Sequence, residues 1–146
     1  MSPVTVTAPA GCLGPDQRRA IAAAITRVHH TVTGAPAYYA QVIFHEVPAG
    51  QWFIGGVPLV GDTLYVHGHI RNGRSVDDKD RLITGLIPAV AEAAGAPRRE
   101  VWVYLTDWPP RQMAEFGHVL PEAGQEAAWR EALPPEDRDH LDRIGR

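Results

Sequence analysis

The chain has 146 residues, 45% hydrophobic and 21% charged, an ordinary globular mixture for one domain spanning residues 1–146. Its net charge of −3 excludes the basic footprint of a nucleic-acid binder, so no nucleic-acid partner is expected. The single cysteine, Cys12, excludes an internal disulfide and a multi-cysteine zinc site. No apolar run reaches the ~18 residues a membrane span needs, so no membrane partner is expected. The start, Met1 to Thr7, has neither the basic leader nor the apolar core of a signal peptide, and the expected location is cytoplasmic.

Pro3-Val4-Thr5-Val6-Thr7 alternates and predicts a strand. Gly14-Pro15-Asp16 opens a helix, with Pro15 presetting φ and Asp16 complementing the dipole. Ile21, Ile25, Val28 and Val32 form its apolar stripe; Gly34 and Pro36 stop it. Residues 39–46 predict a second strand, and Trp52-Phe53-Ile54-Gly55-Gly56-Val57 a hairpin or covering loop.

The pattern then begins again. Residues 62–70 predict a strand, and Ser75-Val76-Asp77-Asp78 resembles a capping box with Asp in place of Glu. Leu82, Ile83, Leu86, Ile87 and Val90 form a second stripe, in which Pro88 should kink the helix near Thr84. Gly95 and Pro97 end it, and residues 100–106 predict the fourth strand. Gly34-Ala35-Pro36 recurs as Gly95-Ala96-Pro97, and the strands that follow align at the same offset. We read an internal repeat, 2–60 and 62–110, of two β-α-β units, followed by a helical tail over 111–146.

The fold class is therefore α/β, an α+β two-layer arrangement of a four-stranded, mainly parallel sheet with helices on one face. A sheet covered on one face leaves the other bare, which predicts a homo-oligomer. The tail (residues 123–133, then 135–144) should pack over the core or onto a neighbour.

Arg71 and Arg74 frame Asn72-Gly73 between a strand and a helix start, where two guanidiniums could clamp a carboxylate. Spacing alone favours two solvated loop arginines. His29 sits at the edge of the first stripe, as a boundary histidine would. His67 and His69 share a strand face, but no third zinc ligand is evident, and a metal role for His45, His67 and His69 is the weakest reading. Tyr104 reads as core by default. Glu115 reads as a surface carboxylate, or as an acid or base in the apolar niche of Trp108 and Phe116.

The order of these residues is more specific than any one of them. The helix histidine comes first, then Val66-His67-Gly68-x-x-Arg71-x-Gly73-Arg74-Ser75. Val101-Trp102-Val103-Tyr104 and Gln112-Met113-x-Glu115-x-Gly117 follow. With Ala40-Gln41-Val42-x-Phe44-x-Glu46-x-Pro48-Ala49-Gly50 and Gly55-Gly56-Val57, the chain resembles the cis-3-chloroacrylic acid dehalogenase family of the tautomerase superfamily, from the first strand to about Trp129.

The resemblance implies two fused β-α-β units assembled as a homotrimer, acting without a cofactor or metal on small unsaturated or keto carboxylates. The dehalogenases add water to a 3-haloacrylate, and the adduct collapses to malonate semialdehyde and halide. By the matching motifs, Arg71 and Arg74 would hold the substrate carboxylate and His29 would assist there. Glu115, helped by Tyr104, would activate the water. The family's remaining acid is an N-terminal proline. Gapless alignment puts Ser2 at that position, with Pro3 one residue inside, where its nitrogen is an amide without basicity. With Met1 removed, Ser2 would offer a primary amine of pKa ~7.7–8.0 as the acid. The resemblance thus implies an enzyme of reduced or altered activity, or an inactive carboxylate-binding homologue.

Overall fold

The computed structural model describes residues 3–145, so Ser2 lies outside the described residues. Strand β1 (Val4–Pro9) is followed by helix α1 (Pro15–Thr33) and strand β2 (Val42–Val47). A small hairpin, β3 (Phe53–Ile54) and β4 (Val57–Pro58), leads to strand β5 (Leu64–Arg71), helix α2 (Val76–Ala94) and strand β6 (Val101–Trp108). The remainder holds a second hairpin, β7 (Ala114–Glu115) and β8 (His118–Val119), then helices α3 (Glu126–Ala132) and α4 (Pro135–Arg143).

The two β-α-β units build one four-stranded sheet in the order β2-β1-β5-β6. Each unit's own strand pair is parallel, β1 with β2 and β5 with β6, as a helical crossover requires. The units join through β1 and β5, which run antiparallel, with Val6 opposite Val66. The sheet is therefore mixed, with parallel pairs in the majority.

Local signals explain most element ends. Gly34 and Gly95 adopt left-handed φ at the C-termini of α1 and α2, a conformation that strains a side chain. The Ser75 hydroxyl accepts from the Asp78 N–H at 3.0 Å and caps α2. Gly55 and Gly56 both take positive φ and turn the first hairpin. Helix α2 continues through Pro88 to Ala94.

Two expected elements differ. Tyr39, placed at the start of the second strand, lies instead in a 3-10 turn, Ala37–Tyr39, and β2 begins at Val42. The preceding Pro36 starts that turn, and both Tyr38 and Tyr39 are buried by the C-terminal segment. Ala123 to Gln125 form a turn, so α3 starts only at Glu126.

The main core lies between the helices and one sheet face. Val4, Val6 and Ala8 of β1 and Leu64, Val66 and Ile70 of β5 meet Ile21, Ile25, Leu86 and Val90 of the helices. Each fully buried aliphatic side chain contributes about 1.5–3 kcal/mol. The helices approach closely at Gly85, where an added Cβ would stand 3.2 Å from Val28 Cγ1. The tail builds a second core in which Leu120, Leu133 and Leu141 enclose Ala35, Tyr38 and Tyr39.

The opposite sheet face is uncovered. Ile43, Tyr65, His67, Trp102 and Tyr104 stand on it, and Tyr104 is 56% exposed rather than in the core. Tyr104 follows the alternation of β6 onto the side that no helix covers. Among the described residues no helix is long and apolar enough to cross a membrane.

Candidate active site

Arg71 ends β5 and Arg74 precedes the cap of α2, with Gly73 between them at φ +96°. The turn folds both guanidiniums toward the tail. Arg71 Nη2 donates to Glu126 Oε1 at 2.6 Å, and Arg74 Nη2 donates to the same oxygen at 3.2 Å. Arg71 Nη1 also donates to the Pro121 carbonyl at 2.9 Å. Arg74 Nη1 reaches the Thr33 carbonyl near the end of α1 at 3.4 Å, where a cation complements the dipole. The Arg71 guanidinium lies over the Tyr39 ring, 4.7 Å from its centroid. Arg71 is therefore buried and ordered on several sides, not a solvated loop arginine.

Burial alone pushes the Glu126 carboxyl up. Hydrogen bonds from its own backbone N–H, from Arg71 and from the Gly124 N–H outweigh that and hold it below the ordinary carboxylate range. It is ionised at neutral pH, so two cations share one anion.

His29 belongs to the same cluster. It is 2% exposed, well inside the boundary its stripe predicted, because the face of α1 that carries Ile25 turns it inward. Burial, with Arg74 and Arg71 among the neighbouring positive charges, lowers its pKa to about 2. The imidazole is neutral and can offer a hydrogen bond but no charge.

Glu115 reaches the region from β7. The turn of that hairpin holds Phe116 at φ +54°, an uncommon conformation for a side chain. The Phe116 ring packs edge-on to Tyr38, 6.4 Å between centroids, which pins the turn. Glu115 Oε2 accepts from Gln41 Nε2 at 3.4 Å. The Gln41 carbonyl in turn accepts from the Val4 N–H at 2.7 Å, which places Glu115 beside the start of β1. Glu115 also acts electrostatically on Tyr39, the ring beneath Arg71.

The Pro3 carbonyl accepts from the His69 N–H at 3.2 Å, and a hollow of about 250 Å³ opens between Pro3, His69, Trp108 and Met113. The Trp108 indole N–H donates to His69 Nδ1 at 2.7 Å, which leaves the ring proton of His69 on Nε2. Thus Arg71 and Arg74 converge on Glu126, His29 lies within the field of both guanidiniums, and Glu115 acts electrostatically on the Tyr39 ring beneath Arg71. Tyr104 does not join them within one chain. It packs edge-on against Tyr65, 5.2 Å between centroids, on the uncovered face.

The family model described as "Putative oxalocrotonate tautomerase enzyme" matches residues 1–132. The crystal structure of N1, a member of the cis-3-chloroacrylic acid dehalogenase family, is 33% identical to this chain. It covers 96% of this chain and 98% of its own, with a TM-score of 0.93. The chain belongs to the tautomerase superfamily, in its cis-3-chloroacrylic acid dehalogenase family. Pt0534, whose structure shows it inactivated by 2-oxo-3-pentynoate, is 25% identical over 87% of this chain and 98% of its own, with a TM-score of 0.73. A fused 4-OT symmetric trimer shares the fold at 24% identity and a TM-score of 0.72, over 81% of this chain and 94% of its own. No curated protein matches.

Two residues of this candidate site carry no signal of it in the sequence. The sequence puts Tyr39 on a strand, and Glu126 is one of several carboxylates in a tail of mixed charge. Nothing local marks Glu126 out, since its partners stand more than fifty positions earlier. Among the described residues no group of three or more His, Cys, Asp and Glu could hold a metal ion.

Proposed function

We propose that this tautomerase-superfamily protein binds a small unsaturated or keto carboxylate at Arg71, Arg74 and His29 and catalyses addition of water to it. The observation that supports this reading most is the Glu126 contact. The two guanidiniums already converge on one carboxylate oxygen, at 2.6 and 3.2 Å. A pair able to hold an internal carboxylate can hold an external one.

For a 3-haloacrylate, a water near Glu115 gives its proton to that carboxylate and attacks the halogen-bearing carbon. The neighbouring carbon takes a proton, and the halohydrin loses halide and a proton to give malonate semialdehyde. Arg71 and Arg74 disperse the negative charge that builds on the substrate carboxylate during attack, while neutral His29 donates its N–H. The proton for carbon comes from a group other than Pro3, whose nitrogen is an amide after Ser2. Ser2, at the family's acid position, is the candidate if its α-amine is free. A weaker acid here costs part of the 10²–10⁴-fold that acid–base help typically supplies, so turnover is slow.

The assembly we propose is a homotrimer. Tyr104 stands on the uncovered sheet face, so it serves a site only where a neighbouring copy packs against that face. The second reading is an inactive carboxylate-binding homologue, favoured by the occupied arginine pair.

The test is intact mass of the purified chain together with turnover of cis-3-haloacrylate and of an enol-pyruvate, for the unaltered chain and Arg71→Ala. Halide release that Arg71→Ala lowers at least tenfold supports the enzyme. Saturable binding without product supports the second reading, and activity untouched in Arg71→Ala removes the site as drawn.

A further inference from the structure

We propose that Glu126 is the resident occupant of the arginine clamp, and that an incoming carboxylate binds by displacing it, so that this residue sets the affinity of the site. The inference rests on the carboxylate-binding reading above and deepens it.

The geometry places the carboxyl of Glu126 where a ligand's carboxyl would be held. Its Oε1 is shared by Arg71 and Arg74, and the side chain is only 14% exposed. Count the charges that meet there. Arg71 and Arg74 supply two positive charges, His29 is neutral, and Glu126 removes one. A monoanionic ligand therefore meets a clamp already half neutralised.

The tail can stay docked while Glu126 swings away. Trp129 packs on Tyr39 with 5.7 Å between ring centroids, and its indole N–H donates to the Val119 carbonyl at 2.8 Å. Leu133 and Leu141 are buried in the second core, and Arg130 pairs with Asp142 at 2.6 Å. None of these contacts runs through the Glu126 carboxyl. The displacement needs rotation about the side-chain bonds of one glutamate and release of its bonds to the Glu126 and Gly124 N–H groups, not undocking of a helix.

The consequence is competition inside one molecule. A ligand that must first empty the clamp binds with its intrinsic affinity scaled by the fraction of clamps that are open. Glu126→Gln keeps the side-chain shape and hydrogen-bond acceptor but removes the anion, which raises the open fraction. Affinity for acrylate, a small carboxylate with no halide to lose, should then rise about tenfold or more.

Two measurements on the full-length chain decide the matter. Calorimetric titration compares acrylate binding to the unaltered protein and to Glu126→Gln, with Glu126→Gln/Arg71→Ala as the control that should lose it. Carbon-detected NMR follows the Glu126 carboxyl of the unaltered protein, whose titration midpoint should move up when saturating acrylate takes Arg71 from it. This second measurement needs no variant to fold. Equal or weaker binding by Glu126→Gln, or an unmoved Glu126 midpoint at saturation, overturns the proposal while leaving the clamp in place. Failure of both chains to bind acrylate overturns the clamp itself and this inference with it.

Discussion

Tyr39 forms the floor under Arg71, with the guanidinium carbon 4.7 Å from the ring centroid. The ring is buried, and it packs on Trp129 of the tail as well as under Arg71. It therefore couples the stability of the tail to the position of Arg71. Replacing Tyr39 with Leu removes the cation–π contact and leaves a cavity, at a cost of about 2–4 kcal/mol by urea unfolding. Carboxylate binding should weaken in the same variant, because Arg71 loses its support. Unfolding unchanged within about 0.5 kcal/mol would show that the stacking carries no weight.

The neighbouring Tyr38 poses the opposite case. Its hydroxyl is buried with no hydrogen-bond partner among the described residues, while its ring packs on Tyr39 and Phe116. An unmet buried hydroxyl costs about 1–3 kcal/mol. Tyr38→Phe keeps the ring and should unfold at equal or higher urea concentration. A clear loss of stability would mean that the hydroxyl finds a partner in solution.

Acid should lower the stability of the protein first through His29 and then also through Glu126. His29 is held well below its ordinary value of 6.5, to about 2, so the folded state resists its protonation. Its contribution is complete above pH 6.5 and declines as the pH falls below it, because the unfolded chain takes the proton first. The slope reaches about 1.4 kcal/mol per pH unit. Glu126, lowered from its ordinary value of 4.5, adds a further loss only when the pH falls through that region. His29→Asn should flatten the stability curve between pH 6.5 and 4.5 whatever its absolute stability. An unchanged slope in urea titrations across that interval would refute the assignment.

The uncovered sheet face should govern assembly. Trp102 and Tyr104 alternate along β6, and Ile43 stands on the same side of β2. An apolar patch of this kind marks an interface. Trp102→Arg should shift sedimentation toward a single chain without unfolding it, since Trp102 lies outside both cores. Should the unaltered protein already sediment as a monomer, the trimer proposal fails.

Signals that depend on residues within a turn of one another were readable in the sequence: helix stops at Gly34 and Gly95, the Ser75 cap, the Gly55-Gly56 hairpin and the repeated β-α-β pattern. Each has a backbone cause local to the chain, while the family resemblance rested on the order of the polar motifs from His29 to Glu115. Tertiary packing decided the rest. It joined the two units antiparallel, drew Tyr39 out of a strand into a buried turn, left Tyr104 on the open face, and brought Glu126 onto Arg71 and Arg74. A carboxylate's charge is written in the chain, but its partner is chosen only when distant segments share a core. Burial then makes that choice matter, by removing the water that would otherwise screen it.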